Sequence, residues 1–370
     1  MLYIGIIIVV VIAVASFLAL AGNRPDGEKV LAFIKENPEK ASLSAIYNEE
    51  ELAAYNSERP MATASVMKIL IAIEYAEQAA KGVIKEDEMI GLPELERYYL
   101  ENLDGGAHPE WLKSMEDNGV IKQDAVPLEE VAKGMIVFSS NANTEYLMDR
   151  LGLDAINRQI EKLGLMQHEP FVYFNASLLI PYELMHTYDQ KLSKEEKIKA
   201  AKKELHVLSD KQYATLANKI HEKMASSRGG AYKREADIHD WYDEDFDRIF
   251  VSRSVKASTN DYATVLRKIN SRSYFPENVQ KHLEVLMETA MQSEGNQEAY
   301  RHVGMKGGSF ASVLNMAIYI EDKQENTVEI TIFLNGLEQK EFTKLSKHLN
   351  DFFVKVANDK DFRDEVKDLR

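Results

Sequence analysis

The sequence predicts an α+β fold in which both ends of the chain build one antiparallel sheet. Short alternating apolar segments bounded by turn residues occur within residues 42–57 and again within residues 302–336. Between them, apolar residues recur mostly at helical spacing. We therefore expect a sheet part from residues 41–62 and 300–357, flanked by helices, and an inserted all-helical part from residues 63–299.

Length and composition limit the classes of function. The chain has 370 residues, enough for one large domain or two smaller ones, with 45% hydrophobic and 28% charged residues. Its net charge of −15 argues against nucleic-acid binding, which needs clustered Lys and Arg. The absence of cysteine excludes disulfides, thiolate metal sites and a cysteine nucleophile.

The N-terminal segment predicts a membrane anchor. Residues Leu2–Gly22 contain no charged side chain, and a helix of about 20 such residues spans roughly 30 Å, the thickness of a bilayer core. We expect one transmembrane helix within residues 1–22 and the rest of the chain outside the cytoplasm. Ala19-Leu20-Ala21 resembles a signal-peptide cleavage site, so a secreted protein remains the alternative.

The elements after the anchor follow from local signals. Residues 23–40 form a linker and a short helix near 28–35, and an acidic turn joins two strand-like segments into a hairpin within 42–57. A helix is expected from Ser65 to about Ala80, where Gly82 stops it. Further helical segments are 127–138, 143–152, 154–164 and one that begins at Ser258.

Residues 187–250 are the compositional exception. Two capping boxes, Ser193…Glu196 and Ser209…Gln212, each open a charged helix, and the second helix has an apolar stripe of Tyr213, Leu216, Ile220 and Met224. We interpret this region as a solvated helical insertion, with a lid over a nearby site as the alternative. Three strands and a helix over 340–359 follow, and residues 358–370 are predicted to be a charged tail.

Three short motifs carry the candidate chemistry. Ser65-x-x-Lys68 places a hydroxyl and an ammonium on one face of an apolar helix, where a plain N-cap is the alternative. Ser139-Ser140-Asn141 lies between two helices, and Lys306-Gly307-Gly308-Ser309 lies on a strand near the C-terminus. Each motif alone is weak, since such short matches arise by chance in a chain of this length.

Together and in this order, the motifs resemble S-x-x-K, S-D-N and K-T-G of the active-site-serine β-lactamases and D-alanyl-D-alanine peptidases. The chain looks closest to the class A β-lactamase branch, and the likeness covers most of residues 41–357. The segments "VPLEEVAKGMIVFSSNANTEYL" and "STNDYATVLRKI" are similar to helices of that family.

The resemblance implies a role for each matched residue. Ser65 would be the nucleophile that forms an acyl-enzyme, Lys68 its base, and Ser139 a proton relay to the leaving nitrogen. Lys306 would attract a substrate carboxylate and act as a second cation beside Lys68. Backbone N–H groups of Ser65 and Ser309 would form the oxyanion hole, and the substrate-binding residues would be Asn141, Lys306, Gly308 and Ser309.

Three departures from the family pattern affect the expected activity. Ser140 stands where the family has Asp, and Gly307 where it has a hydroxyl residue. Class A enzymes deacylate through a glutamate in an E-P-x-L-N loop. Glu169-Pro170 is the nearest match, but Asn175 comes two residues too late for that pattern. Glu169 is therefore either the deacylating base or an ordinary loop residue.

The resulting hypothesis is a membrane-tethered serine hydrolase that acts on β-lactams or related acyl-D-alanine cell-wall compounds without a cofactor. The alternatives are a penicillin-binding sensor or slow D-Ala peptidase or esterase that deacylates poorly, and a non-catalytic scaffold. The histidine spacing predicts no metal site. His168 is expected to be structural or exposed rather than catalytic, and Trp111 to be packed in the interior rather than at the rim of the site.

Overall fold

The computed structural model describes residues 24–227 and 230–369. The predicted anchor, residues 1–22, lies outside the described residues. Among the described residues, no helix is both long enough and apolar enough to cross a membrane.

The strands of the described residues are β1 (Ala41–Tyr47), β2 (Glu50–Tyr55), β3 (Met61–Ala62), β4 (Met89–Gly91), β5 (Ala125–Pro127), β6 (Lys256–Ala257), β7 (Tyr300–Phe310), β8 (Val313–Asp322) and β9 (Thr327–Leu334). The α-helices are α1 (Glu28–Glu36), α2 (Lys68–Ala80), α3 (Leu92–Glu96), α4 (Ala107–Asp117), α5 (Leu128–Lys133), α6 (Asn141–Leu151), α7 (Leu153–Leu163), α8 (Phe174–Leu178), α9 (Ile180–Thr187), α10 (Lys194–Val207), α11 (Asp210–Ser226), α12 (Ala231–Ala236), α13 (Glu244–Arg253), α14 (Thr259–Asn270), α15 (Glu277–Met287), α16 (Glu294–Ala299), α17 (Gln339–Asn358) and α18 (Lys360–Lys367).

The chain forms two compact units. The first comprises the described parts of residues 1–83, 158–169 and 254–370, and the second comprises 84–157 and 170–253. This division differs from the predicted helical part 63–299, because α2, α14 and α15 belong to the unit that contains the sheet. Helix α14 packs on β8 and β9, and α2 packs against α15. Periodicity predicts that these segments are helical, but it does not reveal which element each helix packs against.

The sheet of the first unit joins both ends of the chain, as predicted. Its strand order is β2-β1-β9-β8-β7, with antiparallel neighbours throughout. Leu43 on β1 lies opposite Ile332 on β9, and both side chains enter the core beneath α1, α17 and α18. The predicted charged tail includes α18, whose Phe362 and Val366 are buried in the same core.

The second unit contains the insertion. Both predicted capping boxes are present at the starts of α10 and α11. The predicted stripe on α11 is buried at Tyr213, Ile220 and Met224, while Ala217 takes the fully buried position next to the half-buried Leu216. Helix α11 packs on α8 of the same unit. The insertion is therefore solvated on its charged faces and shares a buried interface with the rest of its unit.

Candidate active site

Ser65 lies in a tight turn directly before α2. Residues Ala64–Met67 form a 3₁₀ turn, and the α-helix begins only at Lys68. The serine therefore precedes the α-helix, whereas the sequence predicted it in the first turn of that helix. Upstream, both the backbone N–H and the hydroxyl of Thr63 donate to the carbonyl oxygen of Val255, at 3.0 and 2.9 Å. Ala64 has a φ of +45°, which is rare for a residue with a Cβ. The backbone that leads into the turn is therefore held by a residue far away in the sequence.

Lys68 is the first residue of α2 and is buried, whereas Ser65 is half-buried. Side chains three residues apart are nearly eclipsed on a 3₁₀ turn. The 3₁₀ geometry therefore keeps the Ser65 hydroxyl and the Lys68 ammonium on the same side of the chain, as the sequence predicted for an α-helix.

Strand β7 packs directly against the Ser65 turn. A Cβ added at Gly308 would lie 2.8 Å from the carbonyl oxygen of Thr63 and 2.9 Å from the backbone nitrogens of Ser65 and Val66. Such distances are closer than real Cβ atoms approach backbone atoms, so only glycine permits this contact. On β8, the side chain of Asn315 donates to the carbonyl oxygen of Ala62 at 2.7 Å. The first and third motifs are therefore brought together.

Lys306 lies two residues before Gly308 on β7, on the same side of the sheet. It is 1% exposed, and its Nζ donates to the carbonyl oxygen of Gly307 at 2.7 Å. Burial lowers the pKa of Lys306 from its ordinary value of 10.5 to about 7. Ser309 follows Gly308 and is half-buried near the end of the strand. The lysine of the third motif is therefore poised to lose its charge near neutral pH.

Ser139 and Asn141 belong to the second unit. A π-helical turn, Gly134–Phe138, leads to Ser139, whose φ of +68° is in the left-handed region. Such π turns are frequent at functional sites. A Cβ at Gly134 would clash with the side chains of Asn143 and Trp111, so only glycine fits at this position. Trp111 is fully buried, which confirms the predicted interior position. Asn141 is the first residue of α6.

Ser140, the departure from the family's Asp, is the N-cap of α6. Its Oγ accepts from the backbone N–H of Asn143 at 3.2 Å and lies 2.9 Å from Nδ1 of His108. Burial lowers the pKa of His108 to about 4, so this imidazole is neutral at pH 7. A neutral hydroxyl suits a neutral imidazole. His108 was not predicted from the sequence, because only the fold places it beside the second motif.

Glu169 is held at the edge of the small sheet formed by β3 and β6. Its backbone N–H donates to the carbonyl oxygen of Lys256 at 2.8 Å, and its Oε2 accepts from the Lys256 backbone N–H at 2.9 Å. The Glu169 side chain is 48% exposed. The neighbouring His168 is buried and lies 3.0 Å from the Tyr262 hydroxyl, consistent with the structural role predicted for it.

Asn175 is held by different residues. Its backbone N–H donates to Oε2 of the buried Glu145 at 3.0 Å, and its Nδ2 donates to the carbonyl oxygen of Tyr98 at 2.8 Å. Glu145 lies one turn after Asn141 on α6. Glu169 and Asn175 thus contact separate partners, in line with the displaced spacing of the loop motif.

A buried charge pair links the insertion to α6. Nδ1 of His221, on α11, lies 3.0 Å from Oε1 of Glu145, and Nε2 lies 3.2 Å from Oδ1 of Asp149. The imidazole is stacked on Tyr173 with ring centroids 3.5 Å apart. Burial alone would lower the pKa of His221, but the two carboxylates outweigh it and raise the pKa to about 9. His221 was not identified from the sequence.

The cluster Glu284, Glu288 and His302 has the composition of a cation site, with ligand atoms within 4.8 Å of one another. Arg272 already lies there, 3.2 Å from Glu284 and 2.7 Å from Glu288. Its guanidinium supplies the positive charge that a metal ion would bring, so the cluster is an ion-pair network between helices and the sheet.

The structure therefore assembles the candidate residues in two groups. Ser65, Lys68, Lys306, Gly308 and Ser309 surround the contact between the Ser65 turn and β7 in the first unit. Ser139 and Asn141 lie together at the start of α6 in the second unit. The first group can supply a hydroxyl, two amines and backbone N–H donors within one small region.

Comparisons with known proteins identify the family and the fold. The profile of the Beta-lactamase enzyme family matches residues 27–353, whereas no curated protein sequence matches significantly. A β-lactamase from Sphaerobacter thermophilus is similar in structure, with a TM-score of 0.54 and 14% identity over 90% of this chain and 97% of its own. A class A β-lactamase from Bacteroides cellulosilyticus has a TM-score of 0.52 and 14% identity over 94% and 99%.

A variant of PBP-A, solved as an acyl-enzyme complex with penicillin G, is also similar, with a TM-score of 0.50 and 13% identity over 89% of this chain and 96% of its own. At these identities the structural matches establish the fold, and the family profile establishes the membership. The chain belongs to the β-lactamase enzyme family and is a serine hydrolase of β-lactamase-like fold.

Proposed function

We propose that the protein opens β-lactams or related acyl-D-alanine cell-wall compounds through an acyl-enzyme on Ser65. The observation that supports this proposal is the contact of β7 with the Ser65 turn, where the backbone of Gly308 meets Ser65 and the buried Lys306 lies two residues away on the same strand. A lysine that loses its charge near neutral pH is unusual outside functional sites.

The proposed reaction has two steps. Ser65 Oγ attacks the acyl carbon while Lys68 takes the hydroxyl proton, and backbone N–H groups of Ser65 and Ser309 bind the oxyanion. The carbon–nitrogen bond then breaks, and the proton that Lys68 took from Ser65 passes to the leaving nitrogen with Ser139 as the relay. Asn141 and Lys306 hold the substrate's amide and carboxylate. Water finally cleaves the Ser65 ester and releases the acid.

Slow deacylation is the second candidate, and the position of Glu169 favours it. One oxygen of this carboxylate accepts from the Lys256 backbone N–H, and the side chain is 48% exposed. A base that must activate one ordered water works best when it is oriented and shielded from bulk solvent. On this second candidate the protein is a penicillin-binding sensor or a slow peptidase or esterase.

Covalent labelling tests the nucleophile. Ser65→Ala should abolish labelling by a fluorescent penicillin or a fluorophosphonate and leave the circular dichroism spectrum unchanged. Ser271→Ala, at an exposed position, is the matched control and should label like the parent protein. Labelling of Ser65→Ala at the parental rate would disprove the assignment and favour the non-catalytic scaffold.

A time course separates the two candidates. If Glu169 is the deacylating base, Glu169→Gln should acylate normally and then accumulate a persistent adduct, seen by mass spectrometry. If the protein deacylates poorly without using Glu169, the parent protein already shows a single stoichiometric burst, and the substitution changes neither step more than a few-fold.

We also propose that Leu2–Gly22 anchors the protein in the cell membrane and that residues after it act outside the cytoplasm, where cell-wall substrates occur. The uncharged length of this segment supports the proposal. Membrane fractionation with N-terminal sequencing tests it, since a mature N-terminus after Ala21 would indicate a secreted protein instead.

A further inference from the structure

Three lysines lie along one face of α17. Lys340, Lys344 and Lys347 are spaced by four and three residues, so their side chains share one face, and all three are exposed. Together with His348 they line a shallow surface groove. Within residues 24–227 and 230–369, none of the three forms an ion pair. We call these three residues the lysine face.

The lysine face places three positive charges close together on a chain whose net charge is −15. The nearest carboxylates on the helix have other partners. Glu341 pairs with Lys40 at 2.8 Å, and Asp351 accepts from the backbone N–H of Gly27 at 2.7 Å. Glu338, just before the helix, is exposed. The three ammonium groups are therefore left to attract an anionic partner.

The chain enters the first unit beside this face. The backbone N–H of Asp26 donates to Nδ1 of His348 at 3.0 Å. A Cβ at Gly27 would lie 2.7 Å from Cα of Phe352, so the chain runs directly against α17. Burial lowers the pKa of His348, and the charges of Lys29, Lys344 and Lys347 add to the effect, which places these lysines close to the entry point.

The connection to the proposed anchor is short. Four peptide units separate Gly22, the last residue of the uncharged segment, from Asp26, and they reach at most about 14 Å. The headgroup layer on one side of a bilayer takes up about 6 Å of that length. The remaining distance is comparable to the Debye length of about 8 Å at physiological ionic strength. The entry point at Asp26, with Lys344 and Lys347 close to it, therefore stays within range of the charge on the lipid surface.

We propose that the lysine face docks on the anionic headgroups of the membrane that holds the N-terminal segment. This inference rests on the anchor in the proposed function. Each lysine near an anionic surface gives roughly a fivefold preference, and three give about 100-fold. The short connection to the anchor keeps the lysine face near the lipid, so docking favours one orientation of the first unit.

The orientation has a consequence for the catalytic residues. Val303 of β7 lies in the core beneath α17, and side chains alternate along a strand, so Lys306 and Gly308 face the opposite side of the sheet. When the lysine face rests on lipid, the sheet separates Ser65 from the membrane. The nucleophile then faces substrates in the aqueous space beyond the lipid surface.

Lysine acetylation of the full-length protein in lipid nanodiscs tests the docking. The nanodiscs consist of phosphatidylcholine alone or of phosphatidylcholine and phosphatidylglycerol at two to one, and peptide mass spectrometry reads each lysine. We expect Lys340, Lys344 and Lys347 to react at least about fivefold more slowly in the anionic nanodiscs, with the protection lost in high salt. Lys281, exposed on another helix, should be unaffected.

Variants separate the lysine face from total charge. In the parent protein, α17 should exchange its amide hydrogens more slowly in the anionic nanodiscs than in the neutral ones. The triple variant Lys340→Glu, Lys344→Glu and Lys347→Glu should remove this difference. The matched triple Lys199→Glu, Lys203→Glu and Lys211→Glu, at exposed positions in the insertion, has the same charge change and should retain the difference.

The outcomes for the anchor and the lysine face are distinct. Protein that is retained by both kinds of nanodisc but acetylated equally in both would overturn the docking and leave the anchor intact. If only the anionic nanodiscs retain the protein and high salt releases it, the anchor would be overturned and docking by the lysine face would be supported. Failure to bind either kind would overturn both.

Discussion

Lys306 should make acylation by anionic substrates decline as the pH rises through 7. Burial lowers the pKa of this lysine from 10.5 to about 7, a shift that corresponds to about 5 kcal/mol against the charged form. A substrate carboxylate about 4 Å away would contribute roughly 4 kcal/mol at an effective dielectric constant of 20. The bound substrate therefore restores most of the lysine's charge, and the pKa of about 7 belongs to the free enzyme.

The assay is the second-order rate constant of Ser65 acylation by a penicillin that carries a carboxylate, measured between pH 6 and 9. With a pKa of about 7, the protonated fraction of Lys306 falls roughly tenfold from pH 6 to pH 8, and the rate constant should fall with it. A neutral ester substrate should show no such decline. Lys306→Arg, which stays charged, should flatten the profile for the penicillin. A flat profile for the parent protein with the anionic substrate would refute the role of Lys306.

Three further predictions concern the surroundings of the site. Gly308→Ala should lower the rate of Ser65 acylation by about 100-fold, because the added Cβ would meet three backbone atoms of the Ser65 turn. Gly295→Ala is the control, since the nearest atom to its added Cβ is 3.9 Å away. Equal acylation rates for the two variants would contradict the close packing at Gly308. Burial raises the pKa of Glu329 from 4.5 to about 7, so stability should fall by about 3 kcal/mol as the pH rises across that interval. Glu329→Gln should remove this slope in urea unfolding, and an unchanged slope would assign it to other groups. His221→Ala should destabilise the second unit by about 3–5 kcal/mol, because the buried Glu145 carboxylate loses its positively charged partner. The loss, read from hydrogen exchange of α6, should shrink as the pH rises through about 9, where His221 loses its charge, and should be smaller for His221→Gln.

Much of the architecture could be predicted because its signals are local. The helix starts at Ser193, Ser209 and Ser258 each depend on a serine and a residue three positions later. Both predicted capping boxes are present, and the structure shows a third at Ser258. That both ends of the chain build one sheet followed from alternating apolar residues at both ends, whereas the pairing of β1 with β9 came from the structure. Capping hydrogen bonds and side-chain periodicity depend on residues that are close together in the sequence. The helices, the strands and the α+β class could therefore be predicted.

The order of the three motifs also identified Ser65, Lys68 and Lys306 as candidates. Their actual environment depends on residues far away in the sequence. The 3₁₀ turn at Ser65 is held by Val255, and the close contact of Gly308 with the Ser65 turn joins segments more than half the chain apart. No local pattern encodes such contacts, so their geometry was not predictable.

Tertiary structure alone decided which ionisable groups are unusual. A pKa responds to burial and to charges a few ångströms away, and neither can be read from neighbouring residues. The sequence therefore determined that a lysine occupies position 306 and a serine position 140. Only the fold determined that Lys306 is buried in the sheet, that Ser140 meets the neutral His108, and that His221 pairs with Glu145.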